Sequence, residues 1–343
     1  MNSPTIDLGL RGLRALGIAV GLALGVQTHA SAELTVYAAM GYDQHVTQAF
    51  TKATGIPVKL IHLSTGPLLA RVQAESANPQ WDVLWFDGNL PMRNFALRKM
   101  LACGWNPDVN YTLQGRALLP ADACYFPIGL TYAGVMLENT ARIAAATQPK
   151  TWNDLLAPAL RGKVGMDNPA ISGPTYPFVA GLLQHLGQAQ GQAWFERLKG
   201  NGLKVYPTNS VTLRALQYGQ IDVAIVQSSA ALGFAKGKAD LRIVAPAPSA
   251  ELPSDIAIGA QVRGKTLNDA RRFVAFVLSP AGQRALLDGD PSADSNDQPL
   301  LSGIAPLPSV RALHVEQTLA LDPVAWGQRE PRVVSWFTAH VAR

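Results

Sequence analysis

Short apolar runs alternate with stretches of helical periodicity along the first half of the chain. The ranges 34–39, 58–63 and 81–86 are apolar enough to form buried strands, and a helical pattern follows each of the first two. A succession of strand, helix and strand with short loops predicts a parallel sheet covered by helices. Small polar residues follow each strand, and ligands of such sheets bind at the carboxyl ends of the strands. We therefore expect a binding site at this edge.

The same alternation returns in the second half of the chain. Strand-like runs at 163–166, 203–206 and 221–226 each lead into a short polar loop. The apolar run 126–135 could cross from the first unit to the second, and the run 256–262 could return. Together these runs predict an α/β fold made of two lobes.

The two expected lobes have discontinuous boundaries. We expect lobe 1 to contain 33–131 plus 251–304, and lobe 2 to contain 132–250 plus 305–343. About 310 residues follow the first 32, which is more than one hydrophobic core usually holds. The stretch 289–302 is rich in Asp, Ser and Pro, and we expect it to form an exposed loop.

The N-terminal segment has the pattern of a secretory signal peptide. Arg11 and Arg14 precede an apolar run at 15–26, and Ala30-Ser31-Ala32 supplies the small residues of a cleavage site. The run is shorter than the roughly twenty apolar residues that span a bilayer. We expect cleavage after Ala32, which makes 1–32 the signal peptide and the mature chain periplasmic. An uncleaved membrane anchor is the alternative.

Charge and cysteine content bear on the class of function. The formal net charge is +5, but the basic residues are scattered and form no stripe that indicates nucleic-acid binding. The two cysteines, Cys103 and Cys124, lack the spacing of a metal or redox motif. In an exported protein such a pair predicts a disulfide, with two separate buried thiols as the alternative.

Two similar phrases stand at expected strand ends, Ser64-Thr65-Gly66-Pro67 and Ser172-Gly173-Pro174-Thr175. At a helix start, the first backbone N–H groups have no partner within the helix and can donate hydrogen bonds to an anion. Neighbouring hydroxyl groups can donate as well. Either phrase alone could simply cap its helix. Pro177 disfavours helical geometry at the residue before it, so the second helix could start at Pro177. One phrase in each lobe predicts a cleft that closes on an anionic group.

Features along nearly the whole mature chain resemble one family. In chain order they include Leu34-Thr35-Val36-Tyr37, Thr54-Gly55-Ile56-Pro57-Val58, Asn78-Pro79 before Trp81-Asp82-Val83, Thr151-Trp152, Ile221-Asp222-Val223 and Leu278-Ser279-Pro280. The chain resembles the extracellular solute-binding proteins of ABC importers, in the branch that holds ferric-iron, aminoethylphosphonate, sugar-phosphate and thiamine binders. The resemblance implies a type II periplasmic-binding fold, with two α/β lobes around a ligand cleft and crossing hinge strands. It also implies a monomer without a cofactor that delivers its solute to an inner-membrane permease driven by an ATPase.

The identity of the solute depends on the loops at the strand ends. Iron binders of this branch use adjacent tyrosines at the loop that here reads Gln227-Ser228-Ser229, and this chain has no adjacent tyrosines. A ferric ion needs anionic oxygen ligands, which Gln and Ser do not supply. We therefore expect an anionic or zwitterionic solute, phosphonate-like or organophosphate-like, with Asp87 facing an amine or a hydroxyl group of the solute. A ferric-iron carrier with an atypical site is the alternative. The expected ligand-binding residues are Tyr42, Ser64, Thr65, Gly66, Asp87, Gly88, Ser172, Gly173, Thr175, Tyr176, Asn209, Ser210 and Gln227.

The sequence contains no recognisable catalytic constellation. It has neither a Gly-x-Ser-x-Gly nor a His-Glu-x-x-His motif, and its histidines are scattered. A periplasmic hydrolase is the alternative from another class of function. We expect a binding protein rather than an enzyme, with no catalytic and no metal-binding residues.

Overall fold

The apolar runs assemble into two β-sheets within residues 33–291 and 293–343, the part of the chain that the computed structural model describes. The predicted signal peptide, 1–32, lies outside the described residues. The strands are β1 (Leu34–Ala38), β2 (Val58–His62), β3 (Val83–Asp87), β4 (Phe126–Tyr132), β5 (Val135–Asn139), β6 (Val164–Asp167), β7 (Lys204–Tyr206), β8 (Val223–Val226), β9 (Leu241–Val244), β10 (Ser249–Ile258), β11 (Gln298–Pro299) and β12 (Thr318–Leu319).

Helices connect most of the strands and cover both sheets. They are α1 (Asp43–Thr54), α2 (Thr65–Ala74), α3 (Asn89–Leu97), α4 (Leu113–Ala117), α5 (Thr175–Leu186), α6 (Gln188–Gly200), α7 (Asn209–Gln217), α8 (Ser228–Ala235), α9 (Gly264–Val277), α10 (Pro280–Gly289), α11 (Pro308–Ala312) and α12 (Pro323–Phe337). Short 3-10 turns lie at Ala145–Thr147, Trp152–Leu156 and Pro158–Leu160, and a π turn at Thr338–Ala342 ends the chain. Among the described helices, none combines the length and the apolar character needed to cross a membrane.

Lobe 1 is built on a sheet with the order β11-β4-β10-β3-β1-β2, and β12 pairs with β10. β1 runs parallel to β2 and β3, whereas β10 runs antiparallel to β3 and β4. On one face, Phe50 of α1 packs against Phe273 of α9 at 5.0 Å between ring centroids. The other face holds a second apolar cluster around Trp81 and Phe86. Apolar side chains on both faces explain why the strands read as continuous hydrophobic runs.

Lobe 2 is built on a sheet with the order β7-β6-β8-β5-β9. Its larger core lies under α5, α6 and α12, where Phe195 packs against Phe337 at 5.6 Å between ring centroids. A smaller cluster on the other face includes Leu213 and Leu216 of α7 and Ala231 of α8. Each lobe is therefore a sheet with helices on both faces, as the alternation of strands and helices predicts.

Three connections join the lobes. β4 of lobe 1 continues after two residues into β5 of lobe 2, and β9 of lobe 2 leads back to β10 of lobe 1. After β11 of lobe 1 the chain passes to lobe 2 again, where α12 packs in the core. The predicted two-lobed α/β fold with crossing strands is confirmed, while the residue boundaries of the two lobes stay a prediction. The returning strand starts at Ser249, seven residues before the predicted start at Ile256.

The predicted disulfide is also present. Cys103 follows the isolated β-bridge at Leu101, and Cys124 precedes β4, so the bridge lies within lobe 1. It closes most of the segment between α3 and β4, which includes α4. The alternative of two separate thiols does not describe this structure.

Candidate functional site

A cleft of about 580 Å³ lies between the lobes. It is bounded by the residues that follow β2, β3, β7 and β8, so it lies at the carboxyl ends of these strands. Side chains from both lobes line it. The predicted ligand-binding residues in its lining are Ser64, Thr65, Asp87, Ser172, Asn209, Ser210 and Gln227. The cleft also includes residues that were not predicted, namely Ala39, Gly41, His62, Leu63, Pro174, Thr208, Leu213, Arg214, Ala230, Phe234, Asp290, Ala293 and Asp294.

Asp87 joins the two lobes at the buried end of the cleft. It is the last residue of β3, and its Oδ2 accepts a hydrogen bond of 2.9 Å from Gln227 Nε2 of lobe 2. Gln227 Nε2 also donates to Thr131 Oγ1 on β4 at 3.2 Å. Burial, followed by the charge of Asp294, raises the pKa of Asp87 to about 7. The expected ligand residues Asp87 and Gln227 thus contact each other in this closed arrangement.

Two further carboxylates reach the cleft from the segment 289–302. Asp294 Oδ2 accepts a hydrogen bond of 2.7 Å from the Gly41 N–H, and Asp290 lies beside it. Desolvation raises the pKa of Asp294 to about 6, and the charges of Asp290 and Asp43 act in the same direction. The lobe 1 wall of the cleft therefore presents three aspartates.

The prediction that 289–302 forms an exposed loop is wrong. Ser295, Asn296 and Asp297 are buried at 4% exposure or less. Their polar groups find partners inside the protein, because Ser295 Oγ donates to the Leu286 carbonyl and accepts from the Asp290 N–H. A polar composition therefore does not imply exposure when the local backbone satisfies the side chains.

Tyr42 lies behind the cleft wall instead of lining it. Its side chain is fully buried, packs against Trp85 at 5.6 Å between ring centroids, and places its hydroxyl 3.4 Å from Asp297 Oδ2. Ser254 Oγ lies between the same Asp297 oxygen, at 3.3 Å, and Asp87 Oδ1, at 2.6 Å. Burial raises the pKa of Asp297 well above its usual range, and the charge of Asp87 adds to this. Tyr42 therefore contacts Asp297 behind the acidic wall and does not itself reach the cleft.

Helix N-termini also border the cleft, one from lobe 1 and two from lobe 2. α2 begins after Ser64, α7 begins after Thr208, and α8 begins after Gln227. The positive end of the helix dipole and the first N–H groups of each helix favour a negative group there. Arg214 lies one turn along α7 from Ser210 and adds a full positive charge. Acidic and positive surfaces therefore face one cleft.

Residues of the second Ser-Gly-Pro phrase mostly contact other groups of the protein. Ser172 Oγ donates to Asp167 Oδ2 at 3.2 Å, and burial raises the pKa of Asp167 to about 7. The Gly66 N–H of the first phrase donates to the Ile171 carbonyl at 3.0 Å, so this amide is not available to a ligand. Gly173 packs against Thr65. The two phrases touch each other across the lobes.

The alternative start of the second helix at Pro177 is wrong. α5 begins at Thr175 with Pro174 as its N-cap residue, which puts Pro177 in the first turn. Proline is tolerated there because the first N–H groups of a helix have no partner within it.

Three predicted ligand-binding residues, two in α5 and one directly after β3, lie away from the cleft lining. Thr175 is buried in α5, the Tyr176 hydroxyl donates to the Trp326 carbonyl at 2.6 Å, and the Gly88 N–H donates to the Pro253 carbonyl at 2.8 Å.

Four chemically distinctive residues of the cleft were not predicted. Arg214 follows Ser210 by four residues, which places both on one face of a helix. Asp290 and Asp294 have the same spacing, and His62 ends β2 two residues before the first phrase begins. His62 Nδ1 lies 2.7 Å from Asp43 Oδ2, and this hydrogen bond raises its pKa. Helical spacing from Ser210 could have identified Arg214. The spacing of Asp290 and Asp294 falls in a segment whose composition predicts an exposed loop, so it does not point to the cleft.

The placement of possible metal ligands bears on the ferric alternative. Among the described residues, no three side chains of His, Cys, Asp or Glu are placed to hold a metal ion. The loop at Gln227 carries serines where the resemblance implies tyrosines in iron binders, and these serines begin α8. Gln and Ser at this loop supply no anionic oxygen, which a ferric ion needs, and the ferric alternative stays a prediction.

Comparison with known proteins agrees with this architecture. A family model described as bacterial extracellular solute-binding protein matches residues 45–298. The major ferric iron-binding protein of Neisseria meningitidis serogroup B is 26% identical over 312 residues, which cover 88% of each chain. A periplasmic protein of Salmonella typhimurium, provisionally assigned to bind 2-aminoethylphosphonate, is 24% identical over 240 residues, which cover 68% of each chain.

The fold is also that of solved periplasmic binding proteins. The structure of AfuA from Actinobacillus pleuropneumoniae, with fructose-6-phosphate bound, aligns with a TM-score of 0.76 and 19% identity. The alignment covers 90% of this chain and 98% of that one. The family model spans most of both lobes and the strands that connect them. The chain therefore belongs to the bacterial extracellular solute-binding proteins.

Proposed function

We propose that this chain captures a small zwitterionic solute, with an amine at one end and a phosphonate or phosphate at the other. The observation that carries the proposal is the division of charge within one cleft. Asp87, Asp290 and Asp294 face it from lobe 1, while Arg214 and the N-termini of α2, α7 and α8 also border it. An ammonium group is favoured beside the aspartates, and an anionic group beside the helix starts.

The action of the protein would be capture and delivery. Lobe closure would bring Asp87 and Gln227 together around the solute, and the closed form would dock on an inner-membrane permease driven by an ATPase. A monomer, exported through cleavage after Ala32 and free in the periplasm, suffices for this task. We propose binding without chemical conversion, so the solute should be recovered unchanged after incubation with the protein.

A thermal-shift panel tests the solute class. We expect 2-aminoethylphosphonate to raise the melting temperature more than methylphosphonate, inorganic phosphate, ethylamine or fructose-6-phosphate, because it alone has both ends of the proposed charge pattern. A ligand at one hundred times its dissociation constant adds about 2.7 kcal/mol of stability. A response to ferric citrate alone, with a coloured complex, would favour the iron alternative and refute the zwitterion.

Charge-neutralising variants test the orientation. Asp87→Asn should weaken binding of 2-aminoethylphosphonate while leaving methylphosphonate unaffected, and Arg214→Gln should weaken both. Loss of a charged hydrogen bond of about 1.5 to 3 kcal/mol corresponds to a roughly tenfold to hundredfold rise in the dissociation constant. Arg197→Gln is the matched control, because Arg197 lies on α6 and is absent from the cleft lining. Equal losses in all three variants would refute the proposed site.

A further inference from the structure

The two Gly-Pro phrases meet where the lobes approach each other beside the cleft. The Gly66 N–H at the start of α2 donates to the Ile171 carbonyl at 3.0 Å. A Cβ atom added at Gly66 would lie closer than 3.0 Å to the Ala170 carbonyl oxygen. A Cβ added at Gly173 would lie 2.6 Å from Thr65 Cβ. Both approaches are closer than a real side-chain carbon tolerates.

The need for glycine at these positions comes from the approach of the lobes. Neither Gly66 nor Gly173 has a φ in the left-handed region, so the local backbone of each lobe accepts an L side chain. At Gly66 the obstacle is a backbone carbonyl, which no change of rotamer can move. At Gly173 the obstacle is the side chain of Thr65. An alanine at either position is therefore compatible with each separate lobe and incompatible with this contact.

We propose that Gly66 and Gly173 form the contact that sets how closely the lobes approach, and thereby how long a solute is retained. The inference rests on the proposed capture by lobe closure. Ser64, Thr65, Ser172 and Pro174 line the cleft next to this contact, so separation of the lobes here opens the cleft wall. When only a fraction of the molecules can close, the apparent dissociation constant rises by the inverse of that fraction. The two glycines are positioning residues and do not themselves bind the solute.

Distance measurements between spin labels test the contact without any solute. Gln48→Cys on α1 and Ala193→Cys on α6 place labels on exposed positions of the two lobes, and the native cysteines are held in their disulfide. The parent chain should show a short-distance population that Gly66→Ala and Gly173→Ala remove. Gly200→Ala is the matched control, because nothing lies within 4 Å of a Cβ there and its φ is also outside the left-handed region.

A second substitution separates a closure contact from a general structural defect. Thr65→Gly in the Gly173→Ala background removes the obstacle and should restore the short-distance population. The same Thr65→Gly should not restore it in the Gly66→Ala background, where the obstacle is the Ala170 carbonyl. Absence of the short distance in the parent chain, its persistence in both alanine variants, or failure of the Gly173→Ala rescue would overturn the proposal.

The kinetic consequence is measurable once a solute binds. For 2-aminoethylphosphonate we expect Gly66→Ala and Gly173→Ala to raise the dissociation rate at least tenfold with little change in the association rate, because the contact exists only after closure. Unchanged dissociation rates in both variants would overturn the retention role. Failure of 2-aminoethylphosphonate to bind the parent chain would count against the proposed function, while the spin-label distances would still decide the closure contact.

Discussion

Asp255 on β10 is a carboxyl group that the fold encloses completely. Within the described residues, neither of its oxygens has a hydrogen-bond partner. Burial raises the pKa of Asp255 well above its usual range, and the charge of Asp87 adds to the effect. Asp87 and Asp167 are shifted in the same direction, to about 7. These residues retain protons in the folded chain that the unfolded chain releases.

Stability should therefore fall as the pH rises from 5 to 8. A raised pKa in the folded state contributes stability that is complete below the unfolded pKa of about 4 and is lost as the pH passes the folded value. Asp255→Asn mimics the protonated acid, so we expect its free energy of unfolding to depend less on pH. Urea unfolding at pH 5, 6, 7 and 8 measures this. The exposed Asp108→Asn should keep the parent slope, and a parent slope in Asp255→Asn would contradict the prediction.

At the scale of elements, two serines occupy the same position with different roles. Ser279 caps α10, because its Oγ accepts a hydrogen bond of 3.2 Å from the Gly282 N–H. Ser64 is the N-cap residue of α2, but its side chain makes no capping hydrogen bond. Both serines directly precede a helix, and of the two only Ser279 makes a capping hydrogen bond. Ser64 lines the cleft instead.

Alanine substitutions should separate these roles. Ser279→Ala should lower the free energy of unfolding by about 1 kcal/mol, the usual cost of a lost N-cap. Ser64→Ala should change it by much less, since no capping bond is lost. Chemical denaturation of both variants measures the difference. Equal destabilisation would show that Ser64 caps α2 in solution.

Local sequence determines where many of the strands and helices begin, but it does not determine whether a polar segment is buried or exposed. The starts of β1 and β2 coincide with the predicted ones because apolar runs with turn residues on either side are strong local signals. The segment 289–302 differs from the predicted exposed loop because its polar side chains hydrogen-bond to nearby backbone groups. Amino-acid composition alone indicates neither whether a side chain is buried nor which group it hydrogen-bonds to. The loop aspartates of the cleft were missed for this reason.

At the scale of the whole molecule, the two lobes follow from the repeated alternation, whereas their mutual contacts do not. Gln227 and Asp87 are 140 positions apart in sequence, and their hydrogen bond depends on how the crossing strands orient the lobes. The same holds for Gly66 and Ile171. Each phrase was identified from sequence as a helix start, but that they touch each other required the three-dimensional arrangement.

The disulfide should support lobe 1 without contributing to the cleft. It closes a loop of about twenty residues, for which loop entropy predicts a stabilisation of roughly 3 kcal/mol. We expect a Cys103→Ser and Cys124→Ser double variant to lose stability of this order in urea unfolding. Its affinity for a bound solute should stay within about twofold of the parent chain, as neither cysteine lines the cleft. A large loss of affinity with unchanged stability would contradict this.

The position of Ser254 between Asp87 and Asp297 has a thermodynamic consequence. A hydroxyl donates one proton, so both contacts, at 2.6 Å and 3.3 Å, are hydrogen bonds only when a carboxyl group supplies a second proton. The contact between these groups therefore holds an exchangeable proton. Under the proposed function, an ammonium group bound beside Asp87 would replace that proton and release it to the medium. Capture of such a solute would then be an exchange of one cation for another, and we expect its heat to vary with the ionisation enthalpy of the buffer.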